Sequence, residues 1–325
     1  MPHATSPRRH RRRRRRHPDV RLRAMSGIAR RAFVRGVSRA VASAALLPSA
    51  AAIAACGDGS ADESAGDGDV PGPDVQVIQR FPQVLVPGPV RLPVSLARAS
   101  GLLGLDAGLP DRLDARIVDA IDGATVAEGL VATRHGDALA APYWPFRTVI
   151  PKVGTYTLVV DGASADGASF SVLAREAVAV VGPGDVLAPF DTPTFTDARG
   201  VDPICTHRPA PCPFHEVTLR EALASGRPVA YFVGTPAHCA TGTCAPGLDA
   251  LIEVAARVGD AVVVVHAEVY ADEAATIVAP AVEAAGLTYE PALWVTDARG
   301  RVVTRLDAVF DAAEIADALA SAGVS

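Results

Sequence analysis

The five cysteines of this chain are unevenly placed, and their distribution limits its possible folds more than any other feature. Cys56 lies near the N-terminal end, whereas Cys205, Cys212, Cys239 and Cys244 all follow residue 200. An even number of cysteines in an exported domain is typical of disulfides. Four cysteines permit three pairings. Their order along the chain favours two local pairs, the first two together and the last two together.

The first 56 residues have the pattern of an export signal. Met25 opens a basic segment, which is followed by an apolar stretch from about residue 37 to residue 55 and by Cys56. That stretch is too short and too rich in alanine to predict a durable membrane span. Residues 53–56, IAAC, resemble the lipobox of bacterial lipoproteins. We therefore predict an upstream extension (1–24), a cleaved signal ending at residue 55, and lipidation of Cys56, which anchors the chain to the extracytoplasmic face of a cell membrane.

Two flanking features refine this prediction. Residues 30–35, RRAFVR, resemble a twin-arginine export motif, although Ala29 stands where such motifs usually carry Ser or Thr. Export by that route implies that the protein folds before it crosses the membrane. Residues 56–73 are rich in Gly, Asp, Ser and Pro, a composition that predicts a flexible acidic tether.

The charge of the chain is divided at Cys56. Of the 31 Lys and Arg residues, 14 precede it with a single acidic residue, and the 17 that follow face 35 acidic residues, a net charge of −18. The run Arg11–Arg16 alone would favour nucleic-acid binding. Because the part that follows the signal is acidic, we predict no nucleic-acid partner.

Residues 74–180 are predicted to form an all-β domain. Seven short apolar or alternating runs are separated by Gly, Pro and Asp at intervals typical of a sandwich. The run at 155–160, TYTLVV, resembles a late strand of an immunoglobulin-like sandwich. We interpret the aromatic segment YWPF at 143–146 as core and turn packing, with an exposed recognition patch as the alternative. The predicted strands are Val75–Ile78, Val90–Leu96, Leu113–Val118, Val126–Val131, Phe146–Ile150, Thr155–Val160 and Ser169–Leu173.

Residues 181–325 alternate between strand and helix patterns. Thr218 and Glu221 form a capping box before a short helix, and Asp311 precedes a final helix. The predicted order is β-α-β-α-β-β-α, with Cys239 and Cys244 between the first strand and the second helix. The predicted elements after the first helix are a strand at 228–234, a helix from Cys244 to about Val258, a central valine-rich strand at 261–269, a helix at 272–285 ended by Gly286, and a hairpin of 292–296 with 302–306.

This order resembles the thioredoxin-like superfamily over about residues 215–325. The segments that carry the resemblance are RPVAYFV at 227–233, the cysteine loop, and EPALWVTD at 290–297. In that family a cis proline precedes the third core strand and lies against a reactive dithiol, and Pro291 matches this position. The resemblance implies an α/β fold, thiol–disulfide exchange by Cys239 and Cys244, and positioning of the substrate backbone by Pro291.

The dithiol departs from the Cys-x-x-Cys pattern of the family, because four residues separate Cys239 from Cys244. Cys244 stands where a helix is predicted to begin, which favours a thiolate there. Cys239 follows His238, whose imidazolium would lower the pKa of a neighbouring thiol. Either cysteine can therefore be the attacking one. The alternative is that this pair is a structural disulfide that fastens an exposed loop.

Cys205 and Cys212 are predicted to form a structural disulfide in a solvated, Pro-rich loop, in preference to a metal site with His207 and His215. A resemblance to Sco-type copper chaperones, which use Cys-x-x-x-Cys and a distant His, is weaker, because the spacing here is one residue longer. We expect no cofactor and no bound metal. The expected partners are thiols or disulfides of exported proteins. The alternative functions are a non-catalytic surface binding protein with structural disulfides and a copper- or metal-handling chaperone.

Overall fold

The computed structural model describes residues 71–324, and every structural statement below concerns this part of the chain. The predicted signal, the twin-arginine motif, Cys56 and the tether up to residue 70 lie outside the described residues. No helix within residues 71–324 combines the length and the apolar character needed to cross a bilayer.

Eight strands form two antiparallel four-stranded sheets in the first part of the described chain. In one sheet, β2 pairs with β1, β3 and β6; in the other the order is β5-β4-β7-β8. Each of the seven predicted strands overlaps one of these, and the short β3 was not predicted. The strands are β1 (Gln76–Gln79), β2 (Gly88–Arg98), β3 (Gly101–Leu102), β4 (Arg112–Asp119), β5 (Thr125–Thr133), β6 (Trp144–Ile150), β7 (Gly154–Val160) and β8 (Ala168–Val172).

The two sheets enclose one apolar core. Along β4, Leu113, Ala115 and Ile117 are buried and alternate with exposed polar side chains, because successive strand residues point to opposite faces. Trp144 and Phe146 are fully buried in the same core. The packing interpretation of the aromatic segment is thus confirmed, and its alternative, an exposed patch, is wrong.

The remainder of the chain builds a third four-stranded sheet flanked by helices. The sheet order is β10-β9-β11-β12, with β10 parallel to β9 and the other pairs antiparallel. Within residues 71–324, short 3-10 turns also occur at Leu105–Ala107, Arg175–Ala177 and, next to this sheet, Gly259–Ala261. The elements are α1 (Leu219–Ala224), β9 (Val229–Val233), α2 (Cys244–Val258), β10 (Val263–Ala267), α3 (Pro280–Ala284), β11 (Ala292–Thr296), β12 (Val302–Asp307) and α4 (Ala312–Ser321).

Both faces of this third sheet are covered. On β9, Ala230 and Phe232 pack into a core with α2 and α4, whereas Val229, Tyr231 and Val233 pack into a second core with α1 and α3. A strand buried on both faces has no polar alternation, which explains the continuous apolar sequence of β9.

Local capping fixes two of the helix starts as predicted. Thr218 and Glu221 form the reciprocal capping box of α1. The Asp311 side chain accepts a hydrogen bond from the Glu314 amide at the start of α4. These bonds satisfy backbone N–H groups that the first turn of a helix leaves without partners.

The valine-rich segment was predicted as a central strand, and this is wrong: β10 lies at the edge of its sheet. Its side chains are nevertheless mostly buried, because a preceding loop lies along the free edge. The His266 amide donates to the Phe214 carbonyl at 3.0 Å. The sequence pattern reflects burial, which at this edge comes from a loop instead of a strand.

The predicted helix at 272–285 is also wrong over most of its length. The helix α3 begins at Pro280, a residue suited to the first helical turn. Before it, the Asp272 carboxylate accepts hydrogen bonds from the Thr276 and Ile277 amides at 2.9 and 2.7 Å, which closes a loop. Asp side chains favour such turns over helix interiors because they compete for backbone amides.

A buried ion-pair network joins the first sheet to α4. The Glu314 carboxylate, buried on α4, accepts a hydrogen bond from Arg91 Nε at 2.8 Å and one from the Tyr143 hydroxyl at 2.8 Å, and it also pairs with Arg147. Arg91 additionally donates to the Val309 carbonyl at 2.6 Å. A buried carboxylate requires such partners, because an unpaired charge in a dry interior is strongly unfavourable.

Candidate functional site

Cys239 and Cys244 lie on the loop that leaves β9 and at the first residue of α2. Cys244 is fully buried at the helix start, as predicted, whereas Cys239 is partly exposed in the loop before it. Gly242 adopts a φ of 67°, a left-handed conformation that favours glycine, and its amide donates to the Cys239 carbonyl at 3.1 Å. The loop therefore turns the exposed thiol back towards the helix.

A half-buried carboxyl group completes this arrangement. Cys239 Sγ, Cys244 Sγ and a carboxylate oxygen of Glu290 all lie within 4.8 Å of one another. The Cys244 thiol donates to Glu290 Oε2 at 3.3 Å, and the Thr235 amide donates to the same oxygen at 2.7 Å. Both cysteines are free thiols. We refer to Cys239, Cys244 and Glu290 as the dithiol site.

The surroundings of Cys239 favour its thiolate. The neighbouring Cys244 thiol is the largest cause that lowers the pKa of Cys239, and the Thr241 hydroxyl, 3.2 Å away, and the amides of Thr243 and Cys244 add to it. Partial burial opposes these effects, and the resulting pKa is about 4. A helix N-terminus stabilises a thiolate in this way because its amides have no partners within the helix.

The other two groups of the site are shifted the opposite way. Burial raises the pKa of Cys244 well above its ordinary value, and the neighbouring Cys239 and Glu290 raise it further. Burial also raises the pKa of Glu290 to about 7, although the hydrogen bond from Thr235 opposes that shift. Near neutral pH the site therefore holds one thiolate, one buried thiol and a carboxyl group that readily gains or loses a proton.

The sequence prediction missed Glu290 and gave His238 a role that its contacts do not support. The His238 ring packs edge-on against Tyr270, with ring centroids 6.2 Å apart, while the Cys239 sulfur contacts Thr241. Glu290 stood in the sequence directly before Pro291 at the start of a buried strand. The signal that could have identified Glu290 was an acidic residue directly before an apolar strand, in the same domain as the two cysteines.

Pro291 follows the acidic residue of the site. The Glu290–Pro291 peptide bond is cis, as the resemblance implied, and the Pro291 carbonyl accepts a hydrogen bond from the Ala308 amide at 2.8 Å. A Cβ atom on Gly234 would lie 3.2 Å from Pro291 Cβ, so the end of β9 and the proline are in close contact. Glu290, the residue before the cis bond, contacts Cys244 and so places this bond beside the dithiol.

The other two cysteines belong to a second, fully buried group. Cys205, Cys212, His215 and His266 each offer one ligand atom, and the four atoms lie within 4.8 Å of one another. We call these four residues the buried cluster. His266 comes from β10, and the other three come from the loop along the edge of that strand.

The placement of this group corrects part of the sequence prediction. Cys205 and Cys212 are not in a solvated loop: both are buried in the core shared with α2 and α4. They are free thiols in the structure, and their predicted disulfide stays a prediction. His207 does not join them, since its ring bonds to the Ala210 carbonyl and to Asp249 at 2.9 and 2.7 Å.

Hydrogen bonds connect the buried cluster to the dithiol site. Thr206, next to Cys205, donates through its amide and hydroxyl to the buried Glu268 carboxylate at 2.5 and 2.9 Å. The Thr206 hydroxyl oxygen also accepts from the Ala237 amide at 3.1 Å and lies 3.4 Å from the Thr235 hydroxyl. The loop that carries the buried cysteines therefore supports the loop that carries Cys239.

A cleft of about 790 Å³ lies apart from both cysteine groups. It opens between β2, β6 and β12, and none of the four described cysteines lines it. Its charged side chains, such as Arg175 and Asp185, largely pair with one another.

Comparison of the chain with protein-family models, with curated proteins and with solved structures found no match.

Proposed function

We propose that this chain is a membrane-anchored, extracytoplasmic thioredoxin-like protein that carries out thiol–disulfide exchange on exported proteins. The observation that carries the proposal is the asymmetric dithiol site. An accessible Cys239 with a pKa of about 4 lies next to a buried Cys244, and the Cys244 thiol donates to Glu290. Reactive cysteines combine a lowered pKa with access to solvent, whereas structural cysteines lack one or both.

The order of the elements supports a thioredoxin-like fold for residues 181–325. A parallel pair, β9 and β10, is followed by the antiparallel strands β11 and β12, with helices on both faces of the sheet. The dithiol lies between β9 and α2, and the cis bond before Pro291 precedes β11. For residues 74–180, two antiparallel sheets around one core support an immunoglobulin-like sandwich that acts as a spacer or a protein contact.

In the first step of the proposed reaction, the Cys239 thiolate attacks one sulfur of a substrate disulfide. The substrate S–S bond breaks, a mixed disulfide forms with Cys239, and the other substrate sulfur leaves as a thiolate. Cys239 is the attacking residue because its pKa lies well below neutral pH, whereas Cys244 is buried and its pKa is raised.

In the second step, Cys244 resolves the mixed disulfide. Its thiol proton passes to Glu290, its sulfur attacks Cys239, and the first substrate sulfur leaves as a thiolate. The substrate gains two electrons, and the Cys239–Cys244 pair becomes a disulfide, which a reducing thiol of the same compartment converts back. The 3.3 Å contact and the pKa of about 7 suit Glu290 for accepting this proton near neutral pH.

Trapping of mixed disulfides tests this function directly. In Cys244→Ser, Cys239 can still attack but cannot be resolved, so we expect disulfide-linked adducts with exported proteins that disappear on reduction. Cys239→Ser should abolish exchange, and the double variant should form no adducts and serves as the matched control. Adducts in equal amount from the double variant, or none from Cys244→Ser, would contradict the proposed reaction.

The membrane anchor is tested separately by changing Cys56. In Cys56→Ala the acyl acceptor is lost, and we expect the protein to move from the membrane fraction to the soluble fraction while its exchange activity is kept. Fractionation followed by immunoblotting measures this, with Cys239→Ser as a control that stays in the membrane. Release of the wild-type protein without detergent would contradict the anchor.

A further inference from the structure

Four side chains with metal-binding chemistry meet in the dry interior beside β10. Cys205 and Cys212 are 5 % and 1 % exposed, and His215 and His266 are fully buried. The His266 Nδ1 atom lies 3.6 Å from Cys205 Sγ, 3.3 Å from Cys212 Sγ and 3.2 Å from His215 Nε2. The proposed exchange reaction uses none of these groups.

Hydrogen bonding alone does not account for this convergence. His266 Nε2 lies 3.0 Å from the Gly234 carbonyl oxygen, an acceptor, so Nε2 carries a proton, and in the neutral ring Nδ1 carries the lone pair. That single lone pair faces two thiols and a second imidazole, and it can accept one hydrogen bond. A cation at the centre, in contrast, would receive one lone pair from each of the four residues.

Three of the six distances between the ligand atoms are close to those around a tetrahedral zinc ion. With Zn–S bonds of about 2.3 Å and Zn–N bonds of about 2.0 to 2.1 Å, the S–N edges of a tetrahedron measure about 3.5 to 3.6 Å and the N–N edge about 3.3 Å. The corresponding distances here are 3.6 and 3.3 Å for the two sulfur atoms to His266, and 3.2 Å between the two histidines.

The residues around the cluster are those expected next to metal ligands. The hydrogen bond to Gly234 orients the His266 ring, as an outer partner of a metal-bound histidine does. The Cys212 amide donates to Cys205 Sγ at 3.4 Å, which favours the thiolate form of that sulfur. The Glu268 carboxylate fixes Thr206, the residue after the first ligand.

We propose that Cys205, Cys212, His215 and His266 bind one Zn²⁺ ion as a closed structural site. Two sulfur and two nitrogen ligands in a tetrahedral arrangement select zinc, and four buried protein ligands leave no position for a substrate. Binding releases the two thiol protons, and the two thiolates balance the charge of the ion. The ion would fasten the loop of residues 205–215 to the edge of β10 and, through Thr206, support the dithiol loop.

Metal content and thiol state of the full-length protein test this proposal together. We expect about one zinc ion per chain by elemental analysis. We also expect free Cys205 and Cys212, seen by peptide mapping after denaturation in chelator and alkylation without reductant. Replacement of the zinc by Co²⁺ should give the intense visible bands of a tetrahedral cobalt site with thiolate ligands. None of these three measurements requires a variant that folds.

Matched variants locate the metal. Cys212→Ser and His215→Gln should each lose zinc, whereas Cys239→Ser should retain it, because Cys239 lies outside the cluster. Three results would overturn the proposal: a Cys205–Cys212 disulfide in metal-free wild-type protein, copper in place of zinc, and zinc that is lost from Cys239→Ser but kept by Cys212→Ser. Since the exchange proposal predicts only adducts and turnover, failure of either proposal leaves the other testable.

Discussion

The dithiol site and the buried cluster contain the same kind of thiol in opposite settings. Cys239 is partly exposed in the loop before α2, next to the Cys244 thiol and the Glu290 carboxyl group. Cys205 and Cys212 are buried and face two imidazoles. The partner of a cysteine pair decides its chemistry: a carboxyl group that accepts protons favours exchange, whereas imidazole lone pairs favour a metal ion.

The largest difference between the two groups is expected in stability. Loss of one zinc ligand leaves a buried thiol and two imidazoles without their shared partner. Cys212→Ser should therefore lower the free energy of unfolding by about 3 kcal/mol or more. For a chain of this size, about 3 kcal/mol corresponds to a Tm decrease of about 6 to 12 °C. Cys239→Ser removes a partly exposed side chain and should change stability by about 1 kcal/mol or less.

Calorimetry of both variants, each with and without a strong chelator, measures this contrast. Chelator should lower the Tm of the wild-type protein and of Cys239→Ser alike, and should leave that of Cys212→Ser nearly unchanged. Equal Tm values for the two variants would remove the distinction drawn here between an exchange site and a structural one.

A smaller effect is expected from Glu290→Gln, which should slow the exchange reaction but raise the stability of the protein as pH increases. Burial raises the pKa of Glu290 to about 7, above the value of about 4.3 in an unfolded chain. The stability that this group contributes is therefore fully present below about pH 4 and is lost as pH rises through about 7. Gln is neutral at every pH, so the variant should become the more stable protein as pH rises through this range.

The same substitution removes the proton acceptor of Cys244. We expect slower resolution of the mixed disulfide and loss of the rate increase that we predict for the wild-type protein around pH 7. Stopped-flow measurements of turnover from pH 5 to 9 and denaturation at the same pH values test both effects. Glu283→Gln, at a carboxylate outside the site, is the control. A variant that is both less stable and equally fast would show that Glu290 has only a packing role.

Sequence patterns predicted the elements of this molecule better than the contacts between them. Alternation and capping residues identified seven of the eight strands of the first two sheets and the starts of α1, α2 and α4, because these signals are local. The edge position of β10 and the loop before α3 were missed, because they depend on which segment covers the strand and on where the Asp272 carboxylate bonds.

The residues of the candidate sites show the same division between local signals, which the sequence contains, and long-range contacts, which it does not. Cys239, Cys244 and Pro291 could be predicted as site residues from spacing and resemblance, since they lie at the ends of predicted strands and helices. The buried cluster was not, because His266 is separated by 54 residues from Cys212 and joins it only through the packing of a loop on β10. Glu290 was missed for a similar reason: its role depends on the contact between its half-buried carboxyl group and Cys244.

The smallest expected effect concerns the pKa of Cys239, and it separates the two thiol groups within one experiment. Alkylation of the reduced wild-type protein by iodoacetamide should modify Cys239 with a midpoint near pH 4, far below that of an ordinary thiol. The buried Cys205 and Cys212 should stay unmodified while the protein is folded. Cys244→Ala removes the largest cause of the shift and should move the midpoint upward, and Thr241→Val should move it less, because the helix-start amides remain. Peptide mapping at each pH gives these midpoints.

If the midpoint of the wild-type protein lies near 8 or 9 and neither variant moves it, the thiolate of Cys239 is not stabilised by its neighbours. The asymmetry between Cys239 and Cys244, on which the exchange proposal depends, is then lost.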